Sequence, residues 1–329
     1  MTFEPPWWCR NGHVQTLWGP LFRRGRLALR RERVVMADGD FVDLDWAEGP
    51  VSSAVLLVLH GLEGSSRSHY VQGLLRVALD RGWRGVALNF RSCSGELNHA
   101  ARFYHSGETA DLEAIVSALI EREPTVRLGA VGVSLGGNVL LKWLGERDTD
   151  APTRLVAAVA VSAPFDLTKC VHVLDHGVRR VVYTGNFLRS MRDKVRRKAT
   201  AHPGFVDVRA VRRARTFAEY DRAVTAPLNG FADERDYWAR ASSKPYLARI
   251  HRPTLLINAL DDPIVPANAL PDPATLPACV RTDFVRRGGH AGFLHGRRPW
   301  AIESWAERRA IDFIAAALDG ARDSAVVGC

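Results

Sequence analysis

Short apolar runs alternate with longer helical patterns along most of the chain. Runs of this kind, bounded by turn residues, are typical of buried strands, and they lie at 55–59, 85–90, 128–133, 155–161, 254–258 and, more weakly, 281–285. Helical patterns lie at about 69–81, 111–122, 136–145 and 299–318, and an antiparallel hairpin at 33–45, with its turn at 37–40. This alternation predicts an α/β fold with a mostly parallel central sheet flanked by helices.

The segment 166–249 interrupts the alternation. It is rich in arginine and aromatic residues and contains no clear apolar strand, so its pattern predicts helices and loops. Because open α/β sheets bind ligands at the carboxyl edge of their strands, we interpret it as a helical lid (cap) insertion. A surface embellishment remote from any site is the alternative. The length of 329 residues fits a single domain, 1–329, that contains this insertion.

The chain is basic, with 45 Lys and Arg against 36 Asp and Glu and a formal charge of +9. Such a balance is compatible with nucleic acid, anionic lipid or an acidic substrate as a partner. We favour a compositional bias towards arginine and predict no nucleic acid partner. The charge leaves the oligomeric state and the natural substrate open.

The cysteines are five in number, scattered, and without a C-x-x-C pair, which argues against a disulfide framework or a zinc ribbon and fits a reducing compartment. They are Cys9, Cys93, Cys170, Cys279 and Cys329. The first residues lack the features of a signal peptide, and no run approaches the ~20 apolar residues of a membrane span. We therefore expect a cytoplasmic protein without stable membrane insertion and with at most transient lipid contact.

The strongest local motif is G-V-S-L-G-G at 132–137, where an apolar strand passes into a helix. This is the G-x-S-x-G nucleophile elbow, in which a sharp turn exposes the serine hydroxyl and small neighbours let the backbone approach closely. The helix amino terminus directs partial positive charge towards an oxyanion formed there. The motif predicts Ser134 as a nucleophile.

A serine nucleophile needs a histidine base, and the base needs a carboxylate that orients it. In this fold they follow in the order Ser, Asp or Glu, His. Asp262 follows the strand at 254–258, and His290 follows the last strand after a Gly-Gly turn. Asp261 and His295 are the alternatives; the D-x-x-V-P context favours Asp262, and the flexible turn favours His290.

The oxyanion of an acyl-transfer reaction needs backbone donors. We predict the N–H of Leu135, directly after the serine, and the N–H of Leu62, in the glycine-rich loop 60–64 after an early strand. Taken alone, that loop would be interpreted as an ordinary turn.

Other polar groups predict no cofactor. His172 and His176 could share a helix face, but no H-E-x-x-H motif or third ligand accompanies them, which favours surface or lid histidines over a zinc site. The basic run 189–198 predicts a solvated helix face. Neither a Walker loop nor a G-x-G-x-x-G after a strand is present. We expect neither a metal nor an organic cofactor.

Several motifs together resemble the YheT-like branch of the α/β-hydrolase superfamily. They are N-G-H-V-Q-T-L at 11–17, H-G-L-E-G-S at 60–65, N-F-R-S-C-S-G at 89–95, Y-H-S-G-E-T at 104–109, the elbow, and G-G-H-A-G-F at 288–293. The resemblance spans nearly the whole chain and implies the same triad of Ser134, Asp262 and His290. Ser92 departs from it, since relatives usually carry Gly there. For the segments around His13 and His105 we favour packing over a role in shaping the pocket.

The predicted function is hydrolysis of carboxylic esters with short to medium acyl chains, through an acyl-enzyme. Relatives of this branch include esterases, enzymes that make or hydrolyse medium-chain ethyl esters, and lipases. An acyltransferase or thioesterase would use the same triad, so the sequence leaves these alternatives open. A non-catalytic binding protein on a hydrolase fold and a binder of anionic surfaces are alternatives of other classes.

Overall fold

A computed structural model describes residues 3–23, 25–49, 54–296, 298 and 301–323. The main strands are β1 (Arg30–Val35), β2 (Phe41–Ala47), β3 (Ala54–Leu59), β4 (Arg84–Asn89), β5 (Arg127–Val133), β6 (Leu155–Val161), β7 (Thr254–Ala259) and β8 (Val280–Val285). They form one eight-stranded sheet in the order β1-β2-β4-β3-β5-β6-β7-β8. Every pair from β4 to β8 in that order is parallel, and only β2 is antiparallel to its neighbours.

Helices flank this sheet. They are α1 (Gly12–Phe22), α2 (His69–Asp80), α3 (Ala110–Arg122), α4 (Leu135–Arg147), α5 (Leu167–Leu174), α6 (Gly177–Arg179), α7 (Gly185–Ala201), α8 (Val208–Arg213), α9 (Phe217–Tyr220), α10 (Ala226–Leu228), α11 (Glu234–Ala241) and α12 (Trp305–Asp323). Short π-helical turns at Arg180–Thr184 and Asp221–Thr225 connect α6 to α7 and α9 to α10, and further short turns are 3₁₀-helical.

The predicted α/β architecture is confirmed. All residues of β3 and β7 are buried, because helices cover both faces of a parallel sheet and its strands are apolar throughout. The hairpin expected at 33–45 is also present and extends over all of β1 and β2.

The segment 166–249 is helical, as expected, and lies between β6 and β7. Its role as a lid stays a prediction. Asn138 of α4 anchors the carboxyl end of the insertion. The Asn138 amide nitrogen donates to the carbonyls of Ser106 and Ala241, and the Asn138 side-chain oxygen accepts from the N–H of Ser243. Asn138 is fully buried, and because a buried amide needs all these partners, it defines how the insertion sits on α4.

Two local expectations were wrong or incomplete. The last helix begins at Trp305, not at 299, because Glu303–Ser304 forms a short strand, β10, paired with β9 (Leu294–His295). Residues 299 and 300 of the expected helix lie outside the described residues. Helix α1 was not predicted, because its buried positions are Gly12, Gln15 and Gly19 instead of an apolar stripe.

The structure describes four of the five cysteines. Cys9, Cys93 and Cys170 are buried free thiols, and the Cys279 thiol donates to the carbonyl of Ile250. Cys329 lies outside the described residues.

Two helical glycines, Gly145 in α4 and Gly185 in α7, differ in how closely neighbouring backbone approaches them. A Cβ on Gly145 would lie 2.2 Å from the carbonyl oxygen of Tyr246, whereas a Cβ on Gly185 in α7 would be 3.4 Å from the carbonyl of Arg180. Alanine favours a helix over glycine by ~1 kcal/mol. We expect Gly185→Ala to raise the melting temperature slightly, and Gly145→Ala to lower the free energy of unfolding by about 1–3 kcal/mol through overpacking. Thermal and urea denaturation of the two variants measure this, and equal stabilities would contradict the close approach.

Candidate active site

Ser134 occupies a strained turn between β5 and α4. Its backbone has φ 54° and ψ −123°, a conformation that a residue with a side chain rarely adopts. A Cβ on Gly132 would lie 2.4 Å from the carbonyl oxygen of Gly136, and one on Gly136 would lie 2.5 Å from the carbonyl oxygen of Leu59. The two glycines of the motif are therefore required by backbone crowding on both sides of the serine.

A hydrogen-bonded chain connects Ser134, His290 and Asp262. The Nε2 atom of His290 is 2.8 Å from the Ser134 hydroxyl oxygen, and its Nδ1 is 2.8 Å from a carboxylate oxygen of Asp262. The Asp262 side chain is fully buried and that of His290 is 10% exposed. Since an ionised carboxylate only accepts, Nδ1 carries the proton and Nε2 presents its lone pair to the serine.

The two neighbouring aspartates have different partners. The second carboxylate contact of Asp262 is to the backbone N–H groups of Ile264 and Val265, at 2.7 and 3.0 Å. Asp261 instead accepts from the N–H groups of Gly288 and Gly289, at 2.8 and 2.9 Å. Burial raises the pKa of Asp261 above its ordinary value. Asp261 therefore holds the Gly-Gly turn that carries His290, while Asp262 contacts the imidazole itself.

His295 is not part of this chain. It is exposed, lies in β9, and its ring nitrogen is 3.4 Å from the carbonyl oxygen of Glu4. The structure therefore brings together the three residues preferred from the sequence and separates the histidine that was the alternative.

Two tyrosine hydroxyls shape the loop that carries Leu62. The N–H of Gly61 donates to the Tyr70 hydroxyl at 2.9 Å, and the N–H of Glu63 donates to the Tyr104 hydroxyl at 2.7 Å. Leu62 lies between these two anchored amides, and both Leu62 and Leu135 line the same cavity as Ser134. A Cβ on Gly61 would lie 3.0 Å from that of Ser134, so the loop passes directly beside the serine.

The buried His60 side chain also supports the loop that carries Leu62. Its Nε2 accepts from the N–H of Phe90 at 3.1 Å, and its Nδ1 is 2.7 Å from the carbonyl oxygen of Gly61. Complete burial lowers its pKa to about 4, so the ring is neutral at pH 7 and donates from Nδ1. His60 is thus a fixed structural link between β3, β4 and the loop.

The N-terminal helix α1 supports the loop of His290, which the sequence analysis did not foresee. The Thr16 hydroxyl accepts from the N–H of His290 at 2.9 Å, and the Gln15 side chain accepts from the N–H of Leu294 at 2.7 Å. A Cβ on Gly289, whose φ is +60°, would lie 2.3 Å from the carbonyl oxygen of Gly12. The N-G-H-V-Q-T motif is the signal that could have predicted this contact, because its glycine and polar residues do not fit an ordinary amphipathic helix.

The segment around His105 lies at the edge of the cavity. The Ser106 N–H donates to the Tyr237 hydroxyl, and the His105 ring stands edge-on to Tyr237, at 5.9 Å between centroids. Burial lowers the pKa of His105 to about 4. His13, in turn, is 2.7 Å from the Tyr183 hydroxyl. Both histidines therefore pack against the insertion, and His105 also lines the cavity.

Glu63 connects the loop of Leu62 to the insertion. Its carboxylate accepts from the Lys194 ammonium group at 2.7 Å and from the Ser190 hydroxyl, both on α7. The side chains of Glu63 and Lys194 are 8% and 16% exposed. Because this ion pair is largely shielded from water, it couples the position of α7 to that of the loop.

A cavity opens beside Ser134, between the sheet and the insertion. Most of its wall is apolar, and the insertion contributes Leu167, Val171, Leu174, Phe187, Met191 and Phe217. A separate open groove contains both Ser134 and His290 and extends along α1 and α7. The site therefore has an apolar pocket on one side of the serine and a solvent-accessible groove on the other.

Asp221 is the unexpected polar group in that wall. It lies in the second π-helical turn, and its carboxylate accepts from the Thr225 hydroxyl at 2.6 Å and from the Trp238 indole at 2.9 Å. Burial raises the pKa of Asp221 to about 7 despite these donors, and the nearby Asp175 and Glu234 add to the shift.

The remaining candidates carry no site in the described part of the chain. His172 lies in α5, whereas His176 follows the end of that helix with an extended backbone, so the two do not share a helix face; Nδ1 of His176 is 2.6 Å from the carbonyl oxygen of His172. Among the residues that the structure describes, no group of three or more His, Cys, Asp or Glu side chains could hold a metal ion.

Comparison with known proteins identifies the family. A family model described as the alpha/beta hydrolase fold matches residues 54–296, which is well over half of the chain. The chain belongs to the alpha/beta hydrolase fold family. YheT of Escherichia coli K12 is 39% identical over 315 residues, covering 94% of this chain and 92% of YheT, so the resemblance to the YheT-like branch is confirmed.

Other alpha/beta hydrolases are more distant. Phospholipase ABHD3 of Homo sapiens is 29% identical over 308 residues, covering 91% of this chain and 75% of that protein. The structure of the esterase Pf2001 from Pyrococcus furiosus superimposes with a TM-score of 0.57 at 16% identity, covering 88% and 91% of the two chains. At that identity the likeness supports the fold alone.

Ser92, the departure from the branch, has a physical explanation. Its φ is 66°, in the left-handed region that glycine adopts without strain. The N–H of Asn98 donates to the Ser92 hydroxyl at 3.2 Å, and this hydroxyl is also 2.5 Å from the side-chain oxygen of Asn98. These contacts hold the loop in the conformation that a glycine would favour on its own.

Within the described ranges, no helix combines the length and the apolar character that a membrane span requires.

The pKa of Asp221 gives a prediction for the pH dependence of stability. A folded-state pKa of about 7 lies above the ordinary value of 3.8, so the folded protein binds this proton more tightly than the unfolded chain. The stability contributed by this group is complete below about pH 4 and is lost as the pH rises towards 7. We expect the free energy of unfolding of the wild type to fall by about 2–3 kcal/mol more than that of Asp221→Asn between pH 5 and pH 8.

Urea denaturation at the two pH values measures the difference. Asp236→Asn, at a carboxylate whose pKa is lowered by contacts near the surface, is the matched control and should follow the wild type. An equal pH dependence in the wild type and Asp221→Asn would contradict the assignment.

Proposed function

We propose that the protein is a serine esterase that cleaves carboxylic esters through an acyl-enzyme on Ser134. The observation that carries the proposal is the unbroken chain of 2.8 Å contacts from the Ser134 hydroxyl through His290 to Asp262, at the mouth of an apolar cavity. The name of the phospholipase relative supports an ester as the substrate.

In the first half of the reaction, the Ser134 oxygen attacks the ester carbonyl carbon. Its proton passes to Nε2 of His290, and Asp262 stabilises the imidazolium that results. The carbonyl oxygen becomes an oxyanion, which the N–H groups of Leu62 and Leu135 stabilise. Collapse of this intermediate breaks the ester bond, and the imidazolium donates its proton to the departing alcohol.

In the second half, water replaces the alcohol. His290 takes a proton from the water, whose oxygen attacks the acyl carbon, and then returns the proton to the Ser134 oxygen as the acid leaves. The enzyme is restored without a metal or organic cofactor in any step. We also propose that residues 1–329 form one domain and that the protein is located in the cytoplasm.

The apolar cavity supports an acyl chain of short to medium length as the part that is bound there. Because the insertion supplies much of its wall, we assign 166–249 the role of a lid that defines the depth of the acyl pocket. The groove that contains His290 would then accept the alcohol part.

Ser134→Ala tests the nucleophile. We expect loss of p-nitrophenyl ester hydrolysis by a factor of about 10³ or more with an unchanged melting temperature, because the side chain makes no packing contribution that alanine lacks. A fluorophosphonate probe should add one mass increment to the wild type, mapped to Ser134, and none to the variant.

If a clean preparation of Ser134→Ala retained ester hydrolysis, this would contradict the proposal. Product analysis with and without ethanol distinguishes hydrolysis from acyl transfer, since a transferase would yield the ethyl ester as its main product.

Asp262→Asn and Asp261→Asn form a matched pair of isosteric variants. Asp262→Asn removes the acceptor that holds the correct imidazole tautomer, and we expect kcat to fall by about 10³–10⁴. Asp261→Asn keeps an oxygen for the N–H groups of Gly288 and Gly289, so we expect a fall of about tenfold or less. Steady-state kinetics on one ester measure both, and a larger loss for Asp261→Asn would reverse the two roles.

A further inference from the structure

Helix α1 presents its apolar side to solvent. Val14, Leu17, Leu21 and Phe22 are 38–60% exposed and stand at the spacing of one helix face, whereas the face towards the protein carries Gly12, Gln15 and Gly19. A surface helix ordinarily has the opposite polarity. The inward face is explained by its support of the His290 loop. No contact among the described residues explains the apolar outward face.

A second exposed apolar group belongs to the insertion. Val178 and Val181 are more than 70% exposed and Val182 is 38% exposed, at the turn between α6 and α7. The contact of His13 with Tyr183 joins this turn directly to α1. Leu17 and Val182 both line the groove that contains Ser134 and His290. We call these seven residues of α1 and the turn the apolar rim.

Exposed arginines accompany the apolar rim. Arg26, Arg67 and Arg189 line the groove, and Arg179 and Arg180 belong to the turn itself. None of these five forms an ion pair with a carboxylate of the described residues. The two acidic residues that line the groove are already paired, Glu63 with Lys194 and Asp193 with Arg196. The groove entrance therefore carries unneutralised positive charge.

We propose that the apolar rim and these arginines form a docking surface for an anionic lipid bilayer, which places the entrance of the active site against the membrane. The aliphatic side chains would enter the boundary between headgroups and acyl chains, and the guanidinium groups would bind lipid phosphates. A lipid surface fits better than a protein partner because it accepts apolar and cationic groups side by side without requiring a matching shape.

The charge of the whole chain points the same way. Its formal charge of +9 favours any anionic surface, but the apolar rim selects one with an apolar interior, which nucleic acid does not have. A second copy of this chain would bring the five arginines close to one another, which opposes a symmetric dimer through this face.

Co-sedimentation with vesicles tests the proposal and does not depend on enzymatic activity. We expect the wild type to pellet with vesicles of phosphatidylglycerol and phosphatidylcholine in 50 mM NaCl, and to bind vesicles of phosphatidylcholine alone more weakly by about tenfold or more. Raising the salt to 500 mM should release much of the bound protein.

Two variants separate the apolar and the charged contributions. Leu21→Ser/Phe22→Ser/Val181→Ser, at positions that do not line the groove, should weaken partitioning by about tenfold or more. Arg179→Glu/Arg180→Glu should weaken binding to anionic vesicles by a similar factor and leave binding to neutral ones unchanged. Circular dichroism and melting temperatures verify that both variants are folded.

Matched controls lie away from the groove. Val35→Ser changes an equally exposed valine on β1, and Arg154→Glu/Arg281→Glu reverses two exposed arginines at the amino-terminal ends of β6 and β8, the sheet edge opposite the site. Both should bind as the wild type does.

Three results would overturn the proposal. One is a wild type that stays in the supernatant with anionic vesicles at low salt. Another is equal weakening by the controls, which would indicate a general charge effect. The third is a dimer in analytical ultracentrifugation that the Leu21→Ser/Phe22→Ser/Val181→Ser variant converts to a monomer without a change in lipid binding, which would assign the face to a second copy of this chain.

Discussion

Backbone crowding where β3 and β5 end is the constraint on which the site depends. Gly136 lies against the carbonyl of Leu59, and Gly132 lies against Gly136. In this crowded turn the chain passes from β5 into α4 with Ser134 at a positive φ. The end of β3 continues into the loop of Leu62, which runs beside the serine. The close approach of the first turn of α4 to the end of β3 therefore brings the serine beside the backbone amides proposed to stabilise the oxyanion.

Helix α1 has two faces with different tasks. Its inner face offers small residues and hydrogen-bonding groups because the loop of His290 has backbone N–H groups that need acceptors and a glycine that needs close approach. Because the inner face consists of small and polar residues that support this loop, the apolar residues of α1 lie on the outer face. The same helix thus orients the base proposed for catalysis and lines the groove through which a substrate would reach it.

Polar contacts as well as apolar packing hold the insertion in place. Asn138 fastens its carboxyl end to α4, and the pair of Glu63 and Lys194 fastens α7 to the loop of Leu62. Because these groups are buried or nearly so, breaking them would leave unpaired charge or unsatisfied amides. The wall of the apolar cavity and the backbone beside Ser134 are therefore mechanically linked, and the buried carboxyl of Asp221 adds a pH-sensitive group to that wall.

The sequence by itself determined the central sheet, because apolar strands buried on both faces leave a local pattern that does not depend on distant residues. It also located the elbow and the order of Ser134, Asp262 and His290, since the spacing of strands determines which loops meet at one sheet edge. Their contacts, and the distinct partners of Asp261 and Asp262, needed the tertiary structure. Helix α1 was not predicted, because its side chains accept hydrogen bonds from the N–H groups of His290 and Leu294, more than 270 residues away. The local periodicity of the sequence does not indicate such distant partners.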